Sequence, residues 1–182
     1  MKKVLLTLLA IVVVAVAGVL VAAAMQPDSF RVARSLAIKA PAERIYPLIA
    51  DFHNWSAWSP YEKLDPDMKR EIAGAPSGVG ATYAWDGDGD AGAGRMEIVE
   101  AAAPASLDIA LDFTKPMEAH NTAIFTLAPE GDGTLVTWAM QGDSPFLFKV
   151  MCLFFDADAM IGKDFEAGLA NLKKAAEAPP AG

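Results

Sequence analysis

The chain has 182 residues, enough for one folded domain, and 53% of them are hydrophobic, more than a core of that size needs. Its formal charge is −8, and −10 without the first 25 residues, because Lys2 and Lys3 leave and no acid does. That balance argues against nucleic acid as a partner and against electrostatic docking on anionic headgroups.

The first element is the uncharged run "VLLTLLAIVVVAVAGVLVAAAM", residues 4–25. About 20 apolar residues in a helix cover the hydrocarbon of a bilayer, so residues 1–25 read as a membrane anchor or a signal peptide. A signal peptide has a shorter apolar stretch of about 7 to 15 residues, which favours a single-pass anchor. The alternative is secretion after cleavage near Ala24, where Ala22-Ala23-Ala24 offers small residues. Lys2 and Lys3 favour a cytoplasmic N-terminus on either reading, which places the domain outside the cytoplasm, in a bacterial periplasm or at the cell exterior.

The domain is expected over residues 28–177, followed by a disordered tail, 178–182, in "EAPPAG". It begins with a strand in "FRVARSLAIKAP", and then "PAERIYPLIADF" predicts a short helix kinked at Pro47. In "HNWSAWSPY", Trp55 and Trp58 lie three apart and share one face of a second short helix. From Lys69 to about Gln141 the pattern is six strands between turn signals, with a hairpin at Gly131-Asp132-Gly133. The connections are short, as in an antiparallel meander. After Pro145 the chain is helical again, first "PFLFKVMCLFF" and then a long amphipathic helix. In that helix Ile161, Phe165, Leu169 and Leu172 form an apolar stripe opposite Lys163, Glu166, Lys173 and Lys174. Its apolar partner is the sheet, the one large surface available, so the fold class is α+β.

This element order, with the words "DFHNWSAWSP", "GVGATYAWDG", "TLVTWAMQGD" and "IGKDFEAGLANLKK", resembles the START-like helix-grip superfamily, SRPBCC. Within it the chain looks most like the polyketide cyclase/dehydrase and lipid-transport branch, over about Phe30 to Ala176. The resemblance implies a seven-stranded antiparallel sheet around the long C-terminal helix, with an apolar cavity between them.

In "WDGDGDAGAGRME" the carboxylates Asp86, Asp88, Asp90 and Glu97 stand at positions 1, 3, 5 and 12 of a calcium-loop spacing. Position 6 is Ala91 rather than glycine, position 8 is Ala93, and the flanks read as strands, so a hairpin connection is expected there. "GAPSGVG" lacks the lysine and the following helix of a phosphate loop and reads as a turn. With two histidines, one cysteine and no H-E-x-x-H, C-x-x-C or G-x-S-x-G word, nothing points to a metal or a cofactor, and no catalytic residue is assigned. Cys152 reads as a buried apolar residue, His53 as a capping or surface group in the helix-helix turn, and His120 as facing outward if Phe125 faces in.

Aromatic and methionine side chains carry more information. Singly each fills a core, whereas together they suit a pocket for an apolar ligand. The ligand-binding set is Trp58, Trp85, Met96, Phe113, Phe125, Trp138, Met140 and Phe165, with Gly162 and Gly168 leaving room on the long helix. Entry is expected at the loops around Trp58, Trp85 and Gly142 to Pro145. The expected partner is a hydrophobic small molecule or lipid, with the membrane held through residues 4–25. Two alternatives remain. One is a cyclase- or dehydratase-like enzyme using Asp51, His53, Asn121 or Asp164, and the other is a non-catalytic interaction domain in a membrane assembly.

Overall fold

The computed structural model describes residues 2–179. Residues 180–182 of the expected disordered tail therefore lie outside the described residues. Helix α1, Lys2–Ala24, is long and apolar enough to cross a membrane, and its side chains are almost all exposed. Four residues then lead into strand β1, Ser29–Ile38. Helix α2, Ala42–Ala50, contains Pro47, whose ring removes one backbone donor. The Pro47 carbonyl accepts from Asn54 Nδ2 at 3.0 Å, which ties α2 to the next turn.

The second short helix is a 3-10 turn, Phe52–Ala57, followed by another, Pro60–Lys63. Trp55 in the first turn and Trp58 just after it are both buried and lie together as expected, with ring centroids 4.9 Å apart. Each indole finds a backbone partner in or beside α2: Trp55 Nε1 donates to the Ile49 carbonyl and Trp58 Nε1 to the Leu48 carbonyl. A buried indole N–H needs such an acceptor, so the pair fixes α2 against the turn.

Six strands follow: β2 Lys69–Gly74, β3 Ala81–Asp86, β4 Ala93–Ala102, β5 Ser106–Lys115, β6 Ala119–Glu130 and β7 Gly133–Asp143. The sheet has seven strands in the order β1-β7-β6-β5-β4-β3-β2, antiparallel throughout. Because side chains alternate across a strand, one set of residues faces inward. It includes Val32, Tyr83, Met96, Ile98, Leu107, Ile109, Phe125, Leu127, Val136 and Trp138, all buried. The Gly131 turn has a φ of 60°, a value a glycine adopts without the Cβ penalty, as the hairpin signal required.

Helix α3, Phe146–Cys152, precedes α4, Ala157–Glu177. Asp156 caps α4 by accepting from the Ala159 N–H at 2.9 Å. Phe165, Leu169 and Leu172 of the expected stripe are buried against the sheet, Ile161 is half-buried, and Lys163, Glu166 and Lys174 are exposed. Arg34, on the inward side of β1, reaches across α4 to Asp158 at 2.8 Å and Glu166 at 3.0 Å. Gly162 makes this crossing possible, since a Cβ there would occupy the guanidinium's place. At the far end of the helix Asn171 Nδ2 donates to the Trp58 carbonyl.

Candidate functional site

Between the sheet and α4 stands a stack of aromatic rings. Trp138 is the middle layer, lying 4.2 Å from Phe165 with an interplanar angle of 9° and 5.1 Å from Phe125 at 26°. Trp58 meets Trp138 and Phe125 edge-on, at 5.5 and 6.0 Å, and Tyr61 meets Trp138 edge-on at 6.3 Å. Gly168 lets Trp138 approach the helix, because a Cβ at that position would sit 2.6 Å from Trp138 Cζ3. The room that Gly162 and Gly168 leave is thus taken by the Arg34 guanidinium and the Trp138 ring.

Four of the eight expected ligand-binding residues, Trp58, Phe125, Trp138 and Phe165, meet in this stack, each at most 3% exposed. Met96 is buried beside it, opposite Leu111 on β5 and Tyr83 on β3. Met140 is half-buried on β7, paired with Val32 and Ala123. Trp85 and Phe113 form a separate edge-to-face pair, 5.6 Å apart, both half-buried. Trp85 Nε1 donates to the Ala91 carbonyl at 3.0 Å, and the indole lies over Gly94.

The strand register places this second pair. Ser29, Asp143, Ala119, Lys115, Ala93, Asp86 and Lys69 mark one end of the sheet, and Trp85, Phe113, Met140 and Phe30 stand just inside it as a half-buried apolar lip. Of the three expected entry loops, those at Trp85 and at Gly142 to Pro145 lie at this end. Trp58 does not belong to an entry loop: it is 1% exposed and tied to α2.

One polar atom in the stack is unmatched. Trp138 Nε1 is buried and, among the described residues, has no hydrogen-bond partner. Such a donor costs about 1–3 kcal/mol when left unpaired, so its presence calls for an acceptor. Nearby, burial raises the Tyr61 phenol above its ordinary range, and the charge of Asp164 adds to the rise. Sequence reasoning passed over Tyr61, which follows Ser59-Pro60 in a segment without periodicity. It also passed over Arg34, although the parity it shares with Val32 and Leu36 marks it as inward-facing.

Polar residues considered for proton transfer do not converge. Asp51 accepts from the His53 backbone N–H and contacts His53 Nδ1 at 2.7 Å in the exposed turn. His120 points outward and pairs with Asp112, whose hydrogen bond raises the imidazole above its ordinary range. Asp164 is exposed, and Asn121 is half-buried against Gly142. Cys152 is half-buried rather than buried. In the acidic loop Asp86 pairs with Lys115 at 2.7 Å and Glu97, on β4, with Arg95 at 2.8 Å. Among the described residues no three His, Cys, Asp or Glu side chains gather as a metal site would need.

Two surface hollows lie elsewhere. One, of about 480 Å³, is bounded by Cys152 to Asp158. The other, of about 640 Å³, lies against Ser29, Arg31, His120 and Gln141. Neither is between the sheet and α4.

A seven-stranded antiparallel sheet closed around one long C-terminal helix, with aromatic rings between them, defines a helix-grip protein. The family described as polyketide cyclase / dehydrase and lipid transport matches residues 29–177, and the chain belongs to it. Solved structures share the fold. A protein from Chromobacterium violaceum is 16% identical, with a TM-score of 0.58 over 85% of this chain and 100% of that one. The di-domain ARO/CYC protein BexL of the BE-7585A biosynthetic pathway is 15% identical, with a TM-score of 0.61 over 87% of this chain and 53% of that one. The major latex-like protein of Panax ginseng is 12% identical, with a TM-score of 0.56 over 84% of this chain and 100% of that one. No curated protein sequence matches the chain.

Proposed function

We propose that the chain holds a hydrophobic, lipid-like molecule between the sheet and α4, and that α1 tethers this domain to a membrane on its extracytoplasmic side. The observation that carries the reading is the unpartnered Trp138 Nε1 in the middle of the grip. A carbonyl, ester or hydroxyl oxygen on an otherwise apolar molecule would accept from it. The family description, which includes lipid transport, agrees with this reading.

Filling the grip requires the rings to part. Separating one aromatic pair costs about 0.5–1.5 kcal/mol, whereas each buried CH2 contributes about 0.8 kcal/mol, so one or two methylenes offset each lost pair. On this reading Trp58, Phe125, Trp138 and Phe165 form the walls, and Met96 and Met140 adapt to the ligand's shape. Trp85 and Phe113 form the lip through which it passes.

The test is native mass spectrometry of the full chain released from detergent micelles, with organic extraction of any bound molecule and titration with a fluorescent fatty acid. A stoichiometric hydrophobic adduct, or saturable binding of the fatty acid, supports the proposal. An empty chain that binds no fatty acid overturns it. That outcome favours a second reading, supported by the close-packed stack itself, in which the filled grip is a rigid interaction domain in a membrane assembly.

A further inference from the structure

Helix α3 is built the wrong way round for water. Phe146, Leu147 and Met151 of α3, and Phe154 and Phe155 in the turn after it, are all exposed, with Leu147 58%, Phe154 67% and Phe155 61% exposed. Its one cation, Lys149, is turned inward and buried, and its ammonium pairs with Asp28. A surface helix in water shows the opposite arrangement. Met160, in the first turn of α4, adds another large apolar side chain, 63% exposed, and clustered exposed apolar residues mark interaction surfaces.

The position of α3 identifies what covers it. The Ser144 N–H donates to the Asp28 carbonyl at 2.8 Å, Phe148 packs on Phe30 with centroids 5.3 Å apart, and Lys149 holds Asp28. These contacts fasten α3 to the segment joining α1 to β1. Helix α1 itself packs against α3, and Ala23, next to the end of α1, is fully buried. The outward apolar face is therefore continuous with the end of the apolar helix.

We infer that α3 and the turn after it, Phe146 to Phe155, lie in the interfacial layer of the bilayer that α1 crosses, as a second membrane contact of the domain. This placement rests on α1 being an uncleaved anchor. The contact is hydrophobic rather than electrostatic, since the lysine of α3 faces inward to Asp28 and, at the same end of the sheet, Lys115 is paired with Asp86. Zwitterionic lipid is accordingly sufficient, and salt leaves the contact intact. The contact also turns the lip at Trp85 and Phe113 toward the lipid, because all three leave the same end of the sheet.

The experiment uses the full chain in phosphatidylcholine nanodiscs, carrying Cys152→Ser and one new cysteine labelled with an environment-sensitive fluorophore. Leu147→Cys and Phe155→Cys sample the proposed contact, and Val79→Cys and Asp132→Cys sample turns at the opposite end of the sheet. The first two are expected to emit to the blue and to lose intensity when the lipid carries bromine on its acyl chains, while the other two remain aqueous. Aqueous emission at all four positions in an anchored chain overturns the contact. Blue emission at 147 and 155 that bromine does not quench also overturns it, and points to a protein covering such as a second copy. Alkaline carbonate extraction of the source membranes separates the two readings: a chain released by carbonate removes the anchor, and the contact with it.

Discussion

Trp138→Phe separates the two roles that Trp138 can play. The indole is 3% exposed and lies between Phe165 and Phe125, so truncation to alanine would leave a cavity costing about 3–5 kcal/mol whether or not a ligand binds. Phenylalanine keeps a ring in the stack and loses only part of its volume, at about 1–2 kcal/mol by the same cavity relation. It also removes the unpartnered Nε1–H, which returns about 1–3 kcal/mol. The two terms nearly cancel, so the unfolding midpoint is expected to move by no more than about 4 °C. Ligand affinity behaves differently. If Nε1 donates to the ligand, its loss leaves a buried acceptor unpaired and weakens binding by about 5- to 100-fold. The assay pairs thermal unfolding followed by near-UV circular dichroism with fluorescent fatty acid titration, both in nanodiscs. A loss of more than about 3 kcal/mol in stability with unchanged affinity would refute the reasoning, because Trp138 would then be core alone.

Gly168→Ala places a methyl 2.6 Å from Trp138 and 3.0 Å from Pro60 Cδ, and is expected to destabilise by about 1–3 kcal/mol despite the better helix propensity of alanine, as chemical denaturation will read. Trp85→Ala opens the half-buried lip, so stopped-flow measurement should show faster release of a bound fatty acid with a smaller loss of stability than Trp138→Ala causes. Arg34→Met removes the ties to Asp158 and Glu166 and should lower the unfolding midpoint and its dependence on salt. Asp65 accepts from the Asp88 and Asp67 backbone N–H groups, which hold its carboxyl below the ordinary range. Because the folded value is depressed, this support is fully present above an unfolded value of about 3.9 and is lost as pH falls through the folded value. Amide exchange at Asp88 should therefore speed up below about pH 3.9 relative to Ile98, and Asp65→Ala should produce the same loosening at neutral pH.

The sheet and the long helix were legible because each buries a single face. Phe125, Leu127, Trp138 and Val136 repeat at period two, and Phe165, Leu169 and Leu172 at helical spacing, so their burial follows from the pattern. The state of the interior was not legible in the same way. Gly168 in a sequence signals missing volume, but whether that volume stays open depends on Trp138, thirty positions earlier on another element. Arg34 carried a readable signal in its parity, which its charge obscured. In α3 the run of apolar residues leaves the orientation undetermined, and the outward side is set by the packing of Phe148 on Phe30 together with the pair between Lys149 and Asp28. Pairings so distant in sequence leave no local trace.

Only residues 25–28 separate α1 from β1. Four residues of extended chain reach at most about 14 Å, so a domain anchored this way cannot swing out to a second bilayer or sample the surrounding volume. If α1 stays as the anchor proposed above, the search is planar: the domain drifts with its own leaflet and meets only what shares that sheet of lipid or touches its surface. Any exchange of cargo then depends on collision frequency within the plane, and lengthening this segment with a flexible insert would raise the reach of the domain without altering a single contact inside the grip.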